Sequence, residues 1–395
     1  MKPLFVFSII YIICFIATFL FISIKNISVR DKNLKISLII LIFSLVILSM
    51  CIKPSDVYDL YRHYEVIEQF KLSGYWTETV YDNFIIIRLI FYIISLFNYN
   101  ELLPAISCII TYGIFVHIII DFKTRNSLGI RQIAISILLN LTMIPFVVVY
   151  SGVRNTMVFS ILALAIYREF VEKKRNVLTY LIYLLPIFIH YATIIIIGLR
   201  ILYIFVDKIF KYRYILLVWS LSASLISKIL LIIPNSYIKG MGAQIGNYIG
   251  DFLGDTRIFI VNFVLVLVFL IIFEIIIRKE EYKNTKLKEI LRFIDMVLII
   301  AVGGFFVPNI LDRLLLFIGM FTPIICYVIF NLLKNRKFKT FIFSFLAIYI
   351  IGCAAYQYVG IVNNGLKVSF EPIKIEMKKE IAPMNGIGWG REEAY

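Results

Sequence analysis

The chain has 395 residues, of which 61% are hydrophobic and 16% charged, with a mean hydropathy of +0.91. That balance excludes an ordinary soluble domain, in which apolar residues do not so outnumber charged ones. The net charge of +15 does not indicate nucleic acid, because the basic residues flank apolar runs instead of forming one soluble patch or an RNA-binding motif. Membrane topology and anionic lipid account for it better.

In chain order, the runs Pro3 to Ile24, Ile36 to Ile52, Glu101 to Ile120, Arg213 to Ile233, Ile258 to Ile277 and Thr340 to Val362 each approach the ~20 residues needed to cross a hydrocarbon core. The first reads as a retained span: Lys2 is a weak n-region and no small-residue cleavage site follows. Basic connections recur at Lys25 to Lys35, Lys123 to Arg131, Arg168 to Arg175, Lys208 to Arg213, Arg278 to Arg292 and Lys334 to Lys339. The positive-inside rule assigns all six to the cytoplasm. Outside it leaves Lys53 to Asn83, the turn at Pro145 to Gly152, the surroundings of His190, Pro234 to Arg257, Pro308 to Arg313 and the tail after Asn363. The expectation is an all-α polytopic integral membrane protein of about 11 or 12 transmembrane or re-entrant helices. One membrane domain covers residues 1–362, with outer loops 53–83 and 234–257, and residues 363–395 form an extramembrane tail.

Two segments resist simple alternation. Phe84 to Phe97 is short for a span and reads as re-entrant or interfacial. Val177 to Val206 runs between two basic loops, so it must go out and return as two short helices meeting near Pro186 to His190. Non-helical backbone at that depth has to be buried in protein or line a wet cavity.

Polar residues in or beside apolar runs carry the functional signal, because a charge in hydrocarbon costs at least ~2.5 kcal/mol. Arg154 opens the helix Val153 to Tyr167, His190 marks the break and is followed by Tyr191, Arg257 precedes a span, and Asp312-Arg313 begins another. In Ser55 to Tyr64, a helix would set Asp56, Asp59 and His63 near one face, with Tyr58, Tyr61, Arg62 and Tyr64 around the rest. Guanidinium forks match phosphate oxygens and aromatic faces pack on sugar rings, so these residue types suit a diphosphate-bearing lipid and a glycan. Plainer readings stand beside these. Any of Arg154, Arg257 and Arg313 could be a snorkelling residue, as could Arg88; His190 and His117 could be packing histidines; Tyr75 and Trp76 suit an aromatic belt. Lys228, near the middle of its run, is harder to assign to packing. Four of the five cysteines (Cys14, Cys108, Cys326, Cys353) sit inside apolar runs and Cys51 ends one, without metal-ligand or disulfide-framework spacing. Gly386 to Gly390 in the tail lacks the strand and helix of a phosphate loop.

The order of these motifs is familiar. Asp56 with following tyrosines, Gly74-Tyr75 before a short apolar segment, Val153-Arg154-Asn155 opening a helix, and Phe188-Ile189-His190 before an isoleucine-rich run resemble the Wzy/EpsG family of bacterial polysaccharide polymerases. Asp312-Arg313-Leu314-Leu315-Leu316-Phe317 resembles that family's later arginine motif. The chain departs from the family in having Asn155 where a glutamine is usual and Tyr191 where a small or hydroxyl residue is usual.

The resemblance implies a GT-C-like membrane glycosyltransferase of the bacterial inner membrane, with its active site facing outward. It would join undecaprenyl-diphosphate-linked oligosaccharide repeats, donor and acceptor both lipid-linked, with a chain-length regulator as a protein partner. Neither cofactor, metal nor nucleotide sugar is expected. Arg154 and Arg313, with Arg257, would neutralise the departing diphosphate, Tyr58, Tyr61, Arg62 and Tyr191 would contact substrate, and His190 or Asp56 would take the acceptor proton. A lipid-linked ligase and a polysaccharide flippase remain as alternatives.

Overall fold

A computed structural model describes residues 31–53, 59–74, 84–97, 99–205, 210–222, 229, 231–232, 234, 256–278, 287–306, 308–363 and 367–368. The Pro3 to Ile24 span, Cys14, Tyr75, Trp76, Lys228, nearly all of loop 234–257 and the tail beyond Val368, Gly386 to Gly390 included, lie outside the described residues. The described residues form two compact bodies. One holds those up to Ile194 together with those from Gly319 onward; the other holds Ile195 to Ile318.

The first body is built from α1 (Asp31–Met50), α2 (Asp59–Ser73), α3 (Ile85–Phe97), α4 (Leu102–Asn126), α5 (Ile130–Met143), α6 (Phe146–Ser151), α7 (Val153–Phe170) and α8 (Val177–Leu184). The 3-10 turns Leu185–Phe188 and Tyr191–Thr193 follow. The central helix is α4, packed against α1 and α7. Its apolar run ends at Ile120, yet the helix continues to Asn126. Arg125 Nε donates to Asp121 Oδ2 one turn earlier (2.5 Å), and Tyr167 Oη donates to the same oxygen (2.7 Å). Lys123 and Arg125 also complement the negative helix end.

Small polar side chains knit the apolar helices together, as they do where helices meet in lipid. Ser107 Oγ donates to the Val149 carbonyl (2.7 Å). Thr322 Oγ1 donates to the Ser136 carbonyl (2.9 Å), and Asn140 Nδ2 to the Gly319 carbonyl (2.9 Å). These last bonds serve a broken helix, in which α13 (Pro308–Gly319) stops and α14 (Thr322–Tyr327) restarts before a π-helical turn, Val328–Leu332. A methyl group on Gly319 would lie 2.8 Å from Ile144 Cγ1 and 3.2 Å from Met143 Cβ, so this position admits only glycine without movement.

The body closes with α15 (Arg336–Asn363). Among the described residues one strand pair occurs: β1 (Ile52–Lys53) runs antiparallel to β2 (Lys367–Val368), Ile52 opposite Val368. The chain therefore leaves α1 and α15 at one end. At the other, basic ends meet: His117 Nε2 lies 3.0 Å from Glu172 Oε1, Lys174 Nζ 2.7 Å from Glu172 Oε2, and Gln132 Nε2 donates to Asn331 Oδ1 (3.4 Å). Burial acts on the Glu172 carboxyl upward, but the hydrogen bonds from Lys174 and His117 outweigh it and hold the group below the ordinary range.

The second body contains α9 (Ile194–Leu202) from its second residue onward, α10 (Tyr214–Leu221), α11 (Thr256–Ile277), α12 (Lys288–Gly303) and α13 up to Ile318. α12 packs on α10 and α11. The crossing of α10 and α12 is tight enough that a methyl on Gly303 would fall 1.5 Å from Ser220 Oγ. At the basic ends of these helices Arg213 Nη2 reaches both oxygens of Glu274 (2.6 and 2.7 Å), while its Nε lies 3.0 Å from Asp295 Oδ2. Phe210 and Tyr214 cover the guanidinium at 4.5 and 4.8 Å.

The architecture is thus all-helical. Among the described residues α4, α11 and α15 are long and apolar enough to cross a membrane, or four spans if the broken pair α13–α14 counts as one. Five further apolar helical stretches among the described residues, Leu34–Met50, Ile85–Phe97, Ile130–Met143, Val177–Phe188 and Tyr191–Phe205, run 10–17 residues, below full span length. α3, at 13 residues, is one of these, rising only about 20 Å. Cys108, Cys326 and Cys353 are buried and free, and Cys51 is half-buried.

The Arg213 cluster makes a stability prediction. Asp295 is fully buried, and removing the arginine leaves two carboxylates facing each other. Arg213→Ala should lower stability by ~3–5 kcal/mol, read as a fall in unfolding temperature of the purified protein in detergent. Asp295→Asn, which keeps shape and removes one charge, should cost less.

Candidate functional site

Arg154 lies in the first turn of α7, at its positive dipole end, and is only 7% exposed. Neighbouring α2 places His63 in the interior, 1% exposed, with its ring 5.3 Å from that of Phe91 on α3. The two basic groups feel each other. Burial is the largest cause that lowers the His63 pKa well below its ordinary value, and the positive charges of Arg154 and Arg62 lower it further. All three causes favour the neutral ring. The next residue, Tyr64, is fully buried, and its hydroxyl, without a hydrogen-bond partner among the described residues, is pushed well above the usual range by burial and by Glu101.

His190 sits where α8 and its 3-10 extension end. Its N–H donates to the Pro186 carbonyl (2.9 Å), its carbonyl accepts from Thr193 Oγ1 (2.9 Å), and its Nδ1 accepts from the Ala192 N–H (3.0 Å). The extended backbone at His190 (φ −161°, ψ 131°) makes it the N-cap of the next turn. Its ring is held among aromatics: Phe84 stacks at 6.2 Å and 27°, and Tyr191 lies at 4.7 Å. Phe84 immediately precedes α3, and α3 packs against the turn Leu185–Phe188, as does α7. α2, α3, α7 and the broken segment thus form one neighbourhood, α3 packing on both α2 and the turn Leu185–Phe188.

Of the residues singled out in the sequence, Arg154, His190 and Tyr191 fall in this neighbourhood, His190 and Tyr191 buried and half-buried. Tyr61 is half-buried and Arg62 exposed on α2. Asp56 and Tyr58 lie outside the described residues. Arg257, exposed, and Arg313, half-buried, belong to the second body. Asp59 and His63 part company: Asp59 is exposed in the first turn of α2 and His63 is interior.

Arg88 requires a correction. A snorkelling arginine would be exposed, but this one is 8% exposed, on the same face of α3 as Phe91 and Ser95. Its position three and seven residues before those neighbours carried the signal. Glu65 and Glu101 are also buried, so the body encloses acidic groups that the basic pattern of the sequence did not draw attention to. Asn155 Oδ1, next to Arg154, is buried with no hydrogen-bond partner among the described residues, a polar atom suited to a bound group. Among the described residues no group of His, Cys, Asp and Glu could hold a metal. Comparison with protein-family models, with curated proteins and with solved structures finds no match.

A pH prediction follows from His63. Its folded pKa is depressed, so below about 6.5 the unfolded chain binds the proton that the folded chain refuses, and stability falls as pH falls. The unfolding temperature in detergent should drop between pH 7 and pH 5, and His63→Gln should flatten part of that slope.

Proposed function

We propose that this chain is a membrane glycosyltransferase that polymerises polysaccharide repeats carried on undecaprenyl diphosphate, at the outer face of a bacterial inner membrane. The observation that carries the reading is Arg154. A guanidinium in the first turn of a helix opposes the helix dipole, and this one is also buried and electrostatically coupled to His63. Such concentrated positive potential in an apolar setting suits an anion. The aromatic surfaces of Phe84, Tyr191 and Tyr61 in the same body suit a sugar.

In this reading the acceptor hydroxyl oxygen attacks the anomeric carbon of the donor's first sugar. The bond to the lipid diphosphate breaks, and the hydroxyl proton passes to His190 or Asp56. Arg154 neutralises the leaving diphosphate; Arg313 and Arg257, in the second body, are assigned to diphosphate binding by the family resemblance alone. Tyr58, Tyr61, Arg62 and Tyr191 orient the glycan, and a chain-length regulator is the expected protein partner.

Arg154→Ala should reduce polymerisation by ~10²–10³-fold while the protein still inserts, and Arg154→Lys should restore only part, because a point charge cannot make the bidentate contact. Arg313→Ala should behave alike. The measurement is glycan length in cells that lack the native enzyme. Single repeat units on the surface support a polymerase, their complete absence a ligase, and full-length polymer with Arg154→Ala returns that arginine to a packing role.

A further inference from the structure

Hydrogen bonds fix which helix ends of the first body lie together. Ser107 Oγ near the start of α4 lies 3.0 Å from Thr156 Oγ1 near the start of α7, while Asp121 and His117 further along α4 pair with Tyr167 and Glu172 near the end of α7. The two helices are therefore parallel. α8 runs back along α7: Thr179 Oγ1 accepts from Arg168 Nε (3.3 Å), Tyr183 Oη donates to Glu169 Oε2 (2.9 Å), and both 3-10 turns pack on α7. From the basic end, α8 and its 3-10 extension climb about 20 Å, against about 27 Å for the whole of α7. The extended backbone at His190 adds to that climb. His190 thus stands at the end where α4 and α7 begin.

α3 connects two points at that same end. Just before it, Phe84 stacks on His190 and lies 6.0 Å from the Tyr191 ring; just after it, Asn100 Nδ2 donates to Glu68 Oε1 (2.7 Å) in the turn that leads into α4. A helix about 20 Å long with both ends there cannot follow α4 and α7. It lies across them. One face of α3, with Ile87, Arg88, Phe91, Ile94 and Ser95, is buried, and the polar helix α2, which carries Asp59, Arg62, Glu68 and Lys71, packs on α3. The other face holds Ile85, Leu89, Ile93, Leu96 and Phe97, each 44% exposed or more. Their spacing of three or four residues makes one apolar stripe from end to end. Tyr99, exposed just beyond the helix, has the amphipathic ring that suits headgroup level.

We propose that α3 lies along the membrane surface at the end of the body opposite the basic helix ends. Its partner is the phospholipid leaflet on that side: Ile85, Leu89, Ile93, Leu96 and Phe97 dip into the acyl chains, about 5–10 Å below the headgroups, and α2 covers the helix from the water side. A spanning or re-entrant α3 would instead carry one end deep into the hydrocarbon. This surface role requires a membrane-embedded chain and is independent of the polymerase reading.

Nitroxide labels on single introduced cysteines measure the depth directly. The full-length protein is reconstituted in vesicles of phosphatidylcholine and phosphatidylglycerol, and wild type carried through the same labelling sets the background from its own cysteines. Depth is read from collisions with oxygen, which concentrates in hydrocarbon, and with a water-soluble nickel chelate. Labels at Ile85→Cys, Leu89→Cys, Ile93→Cys and Leu96→Cys should all lie at one shallow depth, within about 5 Å of each other. On α15, a helix long and apolar enough to span, labels at the exposed positions Phe341→Cys and Ile351→Cys should differ by about 15 Å. A depth that changes steadily along α3, by about 16 Å from Ile85 to Leu96, overturns the proposal in favour of a spanning or re-entrant helix. Labels shielded from both reagents show that protein covers the stripe, and labels as open to the chelate as in water place α3 outside the lipid. Either result also rejects the surface role.

Discussion

In hydrocarbon an unpaired peptide group costs several kcal/mol, so the backbone must either stay helical or have each interruption satisfied by protein. That constraint organises this chain. The interruption after Gly319 is tolerated because Asn140 caps the Gly319 carbonyl and Ser136 exchanges hydrogen bonds with Thr322. The interruption at Ile189–His190 is tolerated because Pro186, Ala192 and Thr193 take up the freed groups. Where the partner is a side chain instead of the backbone, the break gains chemistry. At His190 the satisfying group is an imidazole, whose Nδ1 accepts the Ala192 N–H.

Charges near helix ends follow a second rule, that a buried ion needs a partner. The basic ends meet carboxylates: Arg213 with Glu274 and Asp295, Lys174 with Glu172, Arg125 with Asp121. The Arg213 pairs join elements distant in sequence, Lys174–Glu172 lies in the turn after α7, and Arg125–Asp121 spans one turn within α4.

The neighbourhood of Arg154 is arranged against the helix dipole. A positive side chain stands at a positive helix end, a neighbouring histidine is kept neutral by burial and by arginine, and Tyr64 and Asn155 bury polar atoms without hydrogen-bond partners among the described residues. Local rules are broken where function demands it. An anion bound there would offset the arginine's charge and accept a hydrogen bond from the Tyr64 hydroxyl, while Asn155 Oδ1 calls for a donor such as a sugar hydroxyl.

The apolar runs determined that the chain is helical, because only a helix satisfies its backbone in lipid: the predicted Glu101 to Ile120 run begins at the N-cap of α4 and otherwise lies within it, and Ile258 to Ile277 lies inside α11. The break near Pro186 was legible for the same reason: thirty residues between two basic loops cannot hold two full spans. Arg154 could be read because a charge in an apolar stretch stands out. What composition could not convey was facing. Arg88 and His63 look alike in sequence to residues at a membrane surface, and only the packing of α2 on α3 turned both inward. Nor could it tell that His190 Nδ1 accepts from the backbone two residues on, a 3.0 Å contact made only in the folded turn. Periodicity registers how apolar a stretch is; the direction of a side chain and the state of its protons depend on neighbours that come together only on folding.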